Sequence, residues 1–284
     1  METVCHGKQW DVVLIHDNRN RIAAAMPYHI GSRMGLRYIL QPQLTQYNGP
    51  WYRSDIDPAD FEKQLADHFY HTVRPLFFQQ NFGPGTPVGK PWSHRNAVER
   101  ITYCIEDISD PQQVFDNFDK QRRQRPIRRA EKTLSPVSLT PQQFAQFHAE
   151  YWASRGQRDL LSHDFMVRVI QTALDRNQGI LLGVADQDGK LHAARFVAYD
   201  SQCAYSLLSA LNPNGHENGA SALLFWLIIQ QLSGHTRAFD FEGSMDPGIA
   251  FSYSLYGAQP VTYHRITYYR YPILRPLLKR KIEK

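Results

Sequence analysis

Apolar residues follow two different periods along this chain, and the periods predict most of its secondary structure. Short apolar runs bounded by turn residues are typical of strands. They predict strands at residues 12–15, 22–30, 37–44, 76–82, 99–108, 180–185, 191–199, 203–211, 238–244 and 259–269. Apolar residues that recur every three or four positions predict helices at residues 59–73, 111–133, 144–154, 163–176, 222–232 and 248–257.

Two of these helices carry recognisable start signals. Thr140, Pro141 and Gln143 have the spacing of a capping box with proline in the first helical turn. Pro126 fits a first-turn position and not a helix interior, so we expect a second helical piece to begin there. The order of elements predicts a mixed α+β fold (α/β mixed) whose second half repeats a similar order to the first.

Residues 203–261 form the stretch around which the rest is organised. A strand runs into a polar turn containing Gly219, and a strongly apolar helix follows. A strand that enters a helix through glycine can present backbone N–H groups to a phosphate. The same turn also fits an ordinary helix start capped by Asn218, and both interpretations stay open.

Composition and charge limit the possible classes of protein. The 284 residues are 42% apolar and 21% charged, as in folded soluble proteins, and the length predicts two domains. No apolar run reaches the roughly 20 residues of a membrane span, and the N-terminus lacks a secretory signal pattern. Three widely spaced cysteines favour buried thiols in a reducing compartment. We therefore expect a cytoplasmic protein.

The net charge of +5 is concentrated in two runs. Residues 120–132 contain seven Lys or Arg residues and one Glu, and residues 275–284 contain five against one. Arg128 and Arg129 lie nearest the apolar anchors of their helix and are candidates to bind an anionic ligand. A solvated helix face explains the same run, whereas contact with RNA or a phosphate-rich ligand is the functional alternative.

Two side chains after the turn are candidates for chemistry. Glu242 ends an apolar run beside Ser244, where a carboxylate can orient or deprotonate an amine. Tyr256 can donate a proton to a leaving group. Each also has a structural alternative, namely a Glu that holds a basic side chain and a packing tyrosine. No histidine or cysteine cluster has metal-ligand spacing, and no P-loop lysine is present, so we expect no metal and no nucleotide hydrolysis.

Several short segments resemble those of a known family. They are residues 41–46 with 49–50, the basic run at 125–132, residues 179–183, and the FDFEGS segment at 239–244 followed by 256–258. Together with the order of elements, they resemble the GNAT superfamily of acyltransferases, in particular its two-domain Fem-type and BioF2-like branch. The resemblance covers nearly the whole chain and implies two tandem GNAT-like (acyl-CoA N-acyltransferase-like) domains, each a mixed, mostly antiparallel sheet flanked by helices. We place them at residues 1–110, a truncated domain, and 111–284, with the basic tail.

The resemblance also implies an activity and a set of site residues. The activity is transfer of an acyl group from acyl-CoA to an acceptor amine, with Glu242 and Tyr256 as catalytic groups. In GNAT enzymes a glycine turn holds the coenzyme A pyrophosphate, and the residues here that correspond to that turn and its flanks are His216, Asn218, Gly219, Ala220 and Ser221. The remaining expected substrate contacts are Gln46, Tyr47, Arg128, Arg129 and Ser244.

His216 and Ser221 depart from the usual residues of that GNAT turn, and two alternatives follow. One is a Fem-type aminoacyltransferase that uses aminoacyl-tRNA and a cell-wall-precursor acceptor, which makes tRNA a partner. The other is a catalytically inactive GNAT-like protein that binds an anionic or RNA partner. For the two enzyme interpretations, the expected acceptor is a small molecule or a cell-wall precursor.

Overall fold

A computed structural model describes residues 1–5, 9–33, 36–94, 96–213, 215, 217–243 and 245–276. The strands, in chain order, are β1 Trp10–His16, β2 Ile22–Arg33, β3 Leu36–Ile39, β4 Trp51–Tyr52, β5 Phe77–Phe82, β6 Ala97–Ile105, β7 Ser135–Ser138, β8 Gly179–Ala185, β9 Leu191–Tyr199, β10 Cys203–Leu211, β11 Ala238–Asp240 and β12 Gln259–Tyr269. The α-helices are α1 Pro58–Thr72, α2 Lys90–Ser93, α3 Pro111–Asp116, α4 Arg125–Ala130, α5 Pro141–Ser154, α6 His163–Asp175, α7 Ala220–Leu232 and α8 Pro247–Ser254. A π-helix, Lys120–Gln124, joins α3 to α4, and a short 3₁₀ turn lies at Pro272–Leu274.

The chain divides into two compact units, residues 1–100 with 262–284, and residues 101–261. It passes from one unit to the other within β6 and again within β12. Most of β12 belongs to the first unit because residues 264–269 pair antiparallel with β5. The predicted domain boundary at residue 110 remains a prediction. The compact units differ from the predicted domains in two places, since residues 101–110 belong to the second unit and residues 262–284 to the first.

The first unit is a sheet with one long helix packed on it. β1 and β2 form the predicted hairpin, β2 pairs with β3 and β4, and β3 runs parallel to β5. On α1, Leu65 and Phe69 are fully buried and pack with strand residues such as Met26 and Phe78. Asp57 caps α1 by accepting a hydrogen bond from the Ala59 N–H.

The second unit is a mixed sheet with helices on both faces. Strands β7, β8, β9 and β10 are consecutive antiparallel neighbours, β10 runs parallel to β11, and β11 pairs antiparallel with β6. Alternate residues of a strand face opposite sides. Ala193 and Val197 of β9 join the core beneath α7, whereas Phe196 contacts Gly179 beside α6. This mixed sheet flanked by helices confirms the predicted fold class.

Local signals placed several boundaries correctly. Thr140 and Gln143 form the predicted capping box, and α4 begins next to Pro126. The prediction missed β4 and β7, which are four residues or shorter, and extended β11 too far. No helix in the described ranges is long and apolar enough to cross a membrane.

Candidate active site

Two parallel strands separate in the second unit and leave an edge of β10 open. β10 pairs with β11 over three residue pairs, the last being Tyr205 with Asp240. β11 ends there, while β10 continues to Leu211 alongside β9. An irregularity in β10 between Tyr205 and Leu208 shifts its register with β9. Beyond Tyr205, β10 therefore has no pairing with β11, and polar groups can approach this edge.

Asp240 shapes the turn at the end of β11. Its carboxylate is buried, with 2% of the residue exposed, and Oδ1 accepts hydrogen bonds from Thr102 Oγ1 at 2.5 Å and from the Glu242 N–H at 2.7 Å. The bond to its own backbone two residues on turns the chain, and Glu242 adopts a left-handed φ of 61°. A residue with a side chain is uncommon in this region, and such residues cluster at functional sites.

The carboxyl group of Glu242 is in an unusual environment. Its Oε1 atom is buried and has no hydrogen-bond partner among the residues that the structure describes, although the residue as a whole is half-buried. Burial, and then the negative charge of Asp240, raise the pKa of Glu242 to about 8. Near neutral pH this group therefore exchanges a proton readily, as a general base requires.

Tyr256 lies in an aromatic cluster. Its ring contacts that of Phe225, with centroids 4.4 Å apart, and the guanidinium of Arg123 lies 4.3 Å from its ring centre. Burial raises the pKa of the Tyr256 phenol, so this group keeps its proton at neutral pH. Tyr256 and Gly257 also line a cavity of about 270 Å³ beside Asn117, to which Glu242 does not contribute.

Tyr253, which the sequence analysis did not single out, is a tyrosine that lies within electrostatic reach of Glu242. Burial raises the pKa of its phenol, the positive charge of Arg195 lowers it, and the charges of Glu242 and Asp240 raise it further. The ring of Tyr253 stacks on Phe241, with centroids 4.6 Å apart. Asp240, Tyr253 and Arg195 therefore belong to the neighbourhood of Glu242.

The sequence held one signal for these missed residues. Arg195 is the only charged residue of β9, an otherwise apolar strand apart from His192 and Tyr199.

The predicted strand, glycine turn and helix are present before α7. Gly219 is the N-cap, with a φ of 81°, and a Cβ atom there would lie 2.7 Å from the Pro126 carbonyl oxygen. The Ala220 N–H donates to Asn218 Oδ1 at 3.0 Å, and the Ser221 N–H donates to the Gly215 carbonyl at 3.3 Å. Two N–H groups of the first helical turn are thus already used within the chain.

A hydrogen-bonded network holds this turn from the side. Asn218 Nδ2 lies 2.8 Å from His192 Nδ1, and His192 Nε2 lies 2.8 Å from Asp186 Oδ2. The guanidinium of Arg129 donates to the Glu217 carbonyl at 2.6 Å. His216 and Ser244 lie outside the described residues.

Replacing Gly219 with Ala tests how tightly this turn is packed. Gly234 is a matched control because its φ is 80° and nothing lies within 4 Å of a Cβ atom there. We expect Gly234→Ala to lower the free energy of unfolding by about 1–2 kcal/mol through backbone strain alone. Gly219→Ala should cost about 1–3 kcal/mol more, since the new methyl group meets backbone. Urea unfolding measures both, and equal losses would contradict the close approach to Pro126.

The basic run forms a groove next to the turn. Arg125, Arg128, Arg129 and Lys132, with Gln121 and Pro126, line a cavity of about 510 Å³. No acidic side chain is among these lining residues. Arg128 and Arg129 are both exposed, so an anion can reach them from solvent.

The remaining expected contacts lie in the first unit. The Gln46 carbonyl accepts a hydrogen bond from Asn81 Nδ2 at 3.1 Å, and the ring of Tyr47 contacts that of Tyr263, with centroids 5.3 Å apart. Both residues thus support the local structure of that unit. Among the described residues there is no group of three or more His, Cys, Asp or Glu side chains placed to hold a metal ion.

Comparison with known proteins finds a family model that matches part of the second unit. Residues 119–247 match the family model of the acetyltransferase (GNAT) domain. This segment contains the basic groove, the glycine turn, Asp240 and Glu242. No curated protein matches this chain.

Solved structures share the fold over nearly the whole chain. The crystal structure of FemX is similar with a TM-score of 0.68 at 9% identity, covering 97% of this chain and 90% of FemX. L-PGS from Bacillus licheniformis is similar with a TM-score of 0.57 at 12% identity, covering 96% and 90%. A tandem GNAT protein from the clavulanic acid biosynthesis pathway gives 0.54 at 11% identity, covering 92% and 84%. The resemblance to the GNAT superfamily is thus confirmed for residues 119–247, and the chain shares its fold with FemX, L-PGS and the tandem GNAT protein.

Proposed function

We propose that this protein transfers an acyl group from an activated donor to an acceptor amine, with Glu242 as the general base. The observation that carries the proposal is the buried, unpartnered Oε1 atom of Glu242, whose pKa is raised to about 8. The group lies where β10 and β11 separate, inside the segment that matches the GNAT domain. An amine must lose a proton as it attacks, and a carboxylate with this pKa can take it up.

The reaction needs two proton movements. The amine nitrogen attacks the acyl carbon, a C–N bond forms, and the proton passes to Glu242. The bond to the leaving sulfur or oxygen then breaks, and that atom gains a proton. Tyr256 is our candidate donor for this second proton because burial raises the pKa of its phenol and keeps it protonated. Positioning of the two substrates supplies much of the remaining acceleration.

The donor has two candidate identities. Acyl-CoA is favoured by the GNAT match of residues 119–247 and by the strand, glycine turn and helix at Gly219. Aminoacyl-tRNA is favoured by the fold shared with FemX and by the first-turn N–H groups of Ala220 and Ser221, which already donate within the chain. The groove of Arg125, Arg128, Arg129 and Lys132 suits the phosphates of either donor.

Thermal shift measurements with acetyl-CoA, coenzyme A and aminoacyl-tRNA separate the donors. We expect one of them to raise the melting temperature and Arg128→Gln to weaken that effect by about tenfold in affinity, because it removes a phosphate contact. Arg176→Gln, at the exposed C-terminal end of α6, is the matched control. Stabilisation by coenzyme A identifies an acyl-CoA enzyme, and salt-sensitive stabilisation by charged tRNA alone identifies an aminoacyltransferase.

The alternative function from a different class is that of a binding protein without enzymatic activity. It predicts anion or RNA binding at the basic groove with no acyl transfer from any donor. If a donor binds, yet neither acetyl-CoA nor aminoacyl-tRNA supports acylation of amine acceptors, the enzyme proposal is wrong. Loss of transfer in Glu242→Gln with donor binding retained supports it.

A further inference from the structure

The side chain of Arg195 lies among apolar residues on the inner face of β9. Its guanidinium carbon is 5.8 Å from the centre of the Phe225 ring, and Nη1 donates a hydrogen bond to Ser206 Oγ at 2.8 Å. The Nε atom is buried and has no hydrogen-bond partner in the described part of the chain. The residue is half-buried as a whole, so part of it remains within reach of a ligand.

No carboxylate of the described residues forms an ion pair with Arg195, although salt bridges occur elsewhere in the chain. Burial lowers the pKa of its guanidinium, and the groups that act in the opposite direction are the phenols of Tyr253 and Tyr256. A neutral phenol supplies no negative charge. Arginine stays protonated in proteins, so Arg195 carries an uncompensated charge that is costly to bury.

The two edges of the guanidinium differ, because Nη1 donates a hydrogen bond and Nε has no partner among the described residues. Ser206 lies in the irregular part of β10 between Tyr205 and Leu208, and its hydroxyl engages Nη1. The Nε–H group lies on the opposite edge, together with Nη2. This is an edge with which arginine binds carboxylate or phosphate groups through two parallel hydrogen bonds.

We propose that Arg195 is an anion-binding residue that recognises an oxyanion, either a carboxylate or a phosphate, on a ligand of this site. Two groups have no hydrogen-bond partner among the described residues, Arg195 Nε and Glu242 Oε1. The first can donate a hydrogen bond to an anion, and the second can accept one from an amine. Both act electrostatically on Tyr253 and are therefore neighbours of one aromatic side chain. This combination suits an acceptor that carries an amine and an oxyanion. Assignment of that ligand as an acyl acceptor rests on the proposed function, whereas anion binding itself does not.

The test measures anion binding without any acyl transfer. The melting temperature of the full chain is followed while sodium acetate or inorganic phosphate is titrated to 50 mM at constant ionic strength with sodium chloride. We expect a saturable rise of several degrees with one of the two probes, as mass action predicts for a ligand of the folded state. The probe that stabilises identifies the oxyanion as carboxylate or phosphate.

Variants assign this rise to Arg195. We expect Arg195→Met to melt at a higher temperature than the unsubstituted protein without an anion, since the unpaired charge is gone, and to lose the anion-dependent rise. Arg195→Lys keeps a charge without the two-bond edge, so its anion affinity should fall at least tenfold. Arg158→Met, an exposed arginine of the same unit, should behave as the unsubstituted protein.

Two results overturn the proposal. One is the absence of a rise with both probes, and the other is a full rise that persists in Arg195→Met or, if that variant does not fold, in Arg195→Lys. These outcomes differ from failure of the proposed function. An anion-dependent rise in a protein with no transferase activity leaves Arg195 as a binding residue and removes only the acyl-transfer assignment.

Discussion

We expect Glu242→Gln to lower kcat/KM for acyl transfer at pH 8 by a factor on the order of 100 to 1000, the range typical for loss of a general base. Glutamine keeps the shape of the side chain and cannot take up the proton of the amine. Because the pKa of Glu242 is raised to about 8, the unsubstituted protein should gain activity as the pH rises from 6 to 8 and level off above that range. The variant should lose this rise.

The same carboxyl group has a consequence for stability. Its pKa in the folded chain, about 8, lies above the ordinary value of 4.5, so the folded state binds this proton more tightly. The contribution to stability is fully present below pH 4.5 and is lost as the pH rises from 4.5 through 8. We expect the free energy of unfolding of the unsubstituted protein to decline by an amount on the order of a few kcal/mol across this pH range. Glu242→Gln should lack this decline.

Urea unfolding at pH 5 and pH 8 measures the decline, and Glu150→Gln is the control because Glu150 is exposed on α5. The role of Glu242 as base is contradicted if the variant keeps more than half of the activity at pH 8. Burial of the Glu242 carboxyl group is contradicted if the unsubstituted protein and Glu242→Gln lose the same free energy of unfolding between pH 5 and pH 8.

Phe225→Ala should lower the free energy of unfolding by about 3–5 kcal/mol, the usual cost of emptying a phenylalanine site in a core. Phe225 is fully buried on α7, and its ring meets those of Tyr256, Phe241 and Phe239 at centroid distances of 4.4, 4.9 and 5.1 Å. This cluster supports the candidate site, because Phe241 belongs to it and directly precedes Glu242. We therefore expect activity to fall together with stability.

Leu160→Ala is the control for this substitution. Leu160 is 88% exposed in the same compact unit, so its truncation should change the free energy of unfolding by less than about 0.5 kcal/mol. Both variants are measured by urea unfolding at pH 6. A loss below 1 kcal/mol in Phe225→Ala would show that the cluster can close around the missing ring.

Helices and long strands followed from local sequence patterns. The capping box at Thr140 and the four-residue recurrence of Phe61, Leu65 and Phe69 in α1 are properties of neighbours in the chain. β7, Ser135–Ser138, was not predicted because four residues are too few to show an alternation of apolar and polar positions. The strand forms by pairing with β8, which is distant in the sequence. β11 stops at Asp240 because that carboxylate captures the Glu242 N–H, which no alternation of apolar residues reveals.

Some features of the candidate site could likewise be predicted from the sequence, and others depend on the fold. Glu242, Gly219 and the basic run were visible as residue types in suggestive places, and the resemblance to the GNAT superfamily gave them expected roles. Their actual chemistry depends on partners brought together by folding. Gly219 meets the Pro126 carbonyl, and the pKa of Glu242 rises because the fold buries it beside Asp240.

The sequence by itself determined most of the elements, their order and the resemblance to the GNAT superfamily, since these depend on periodicity and short motifs. Only the tertiary structure decided that Glu242 Oε1 and Arg195 Nε are buried without hydrogen-bond partners among the described residues, and that Tyr253 lies within electrostatic reach of both groups. The physical reason is that burial and charge compensation are sums over neighbours distant in sequence. A residue's type gives its possible chemistry, and its surroundings in the fold select the protonation state and the ligand it can bind.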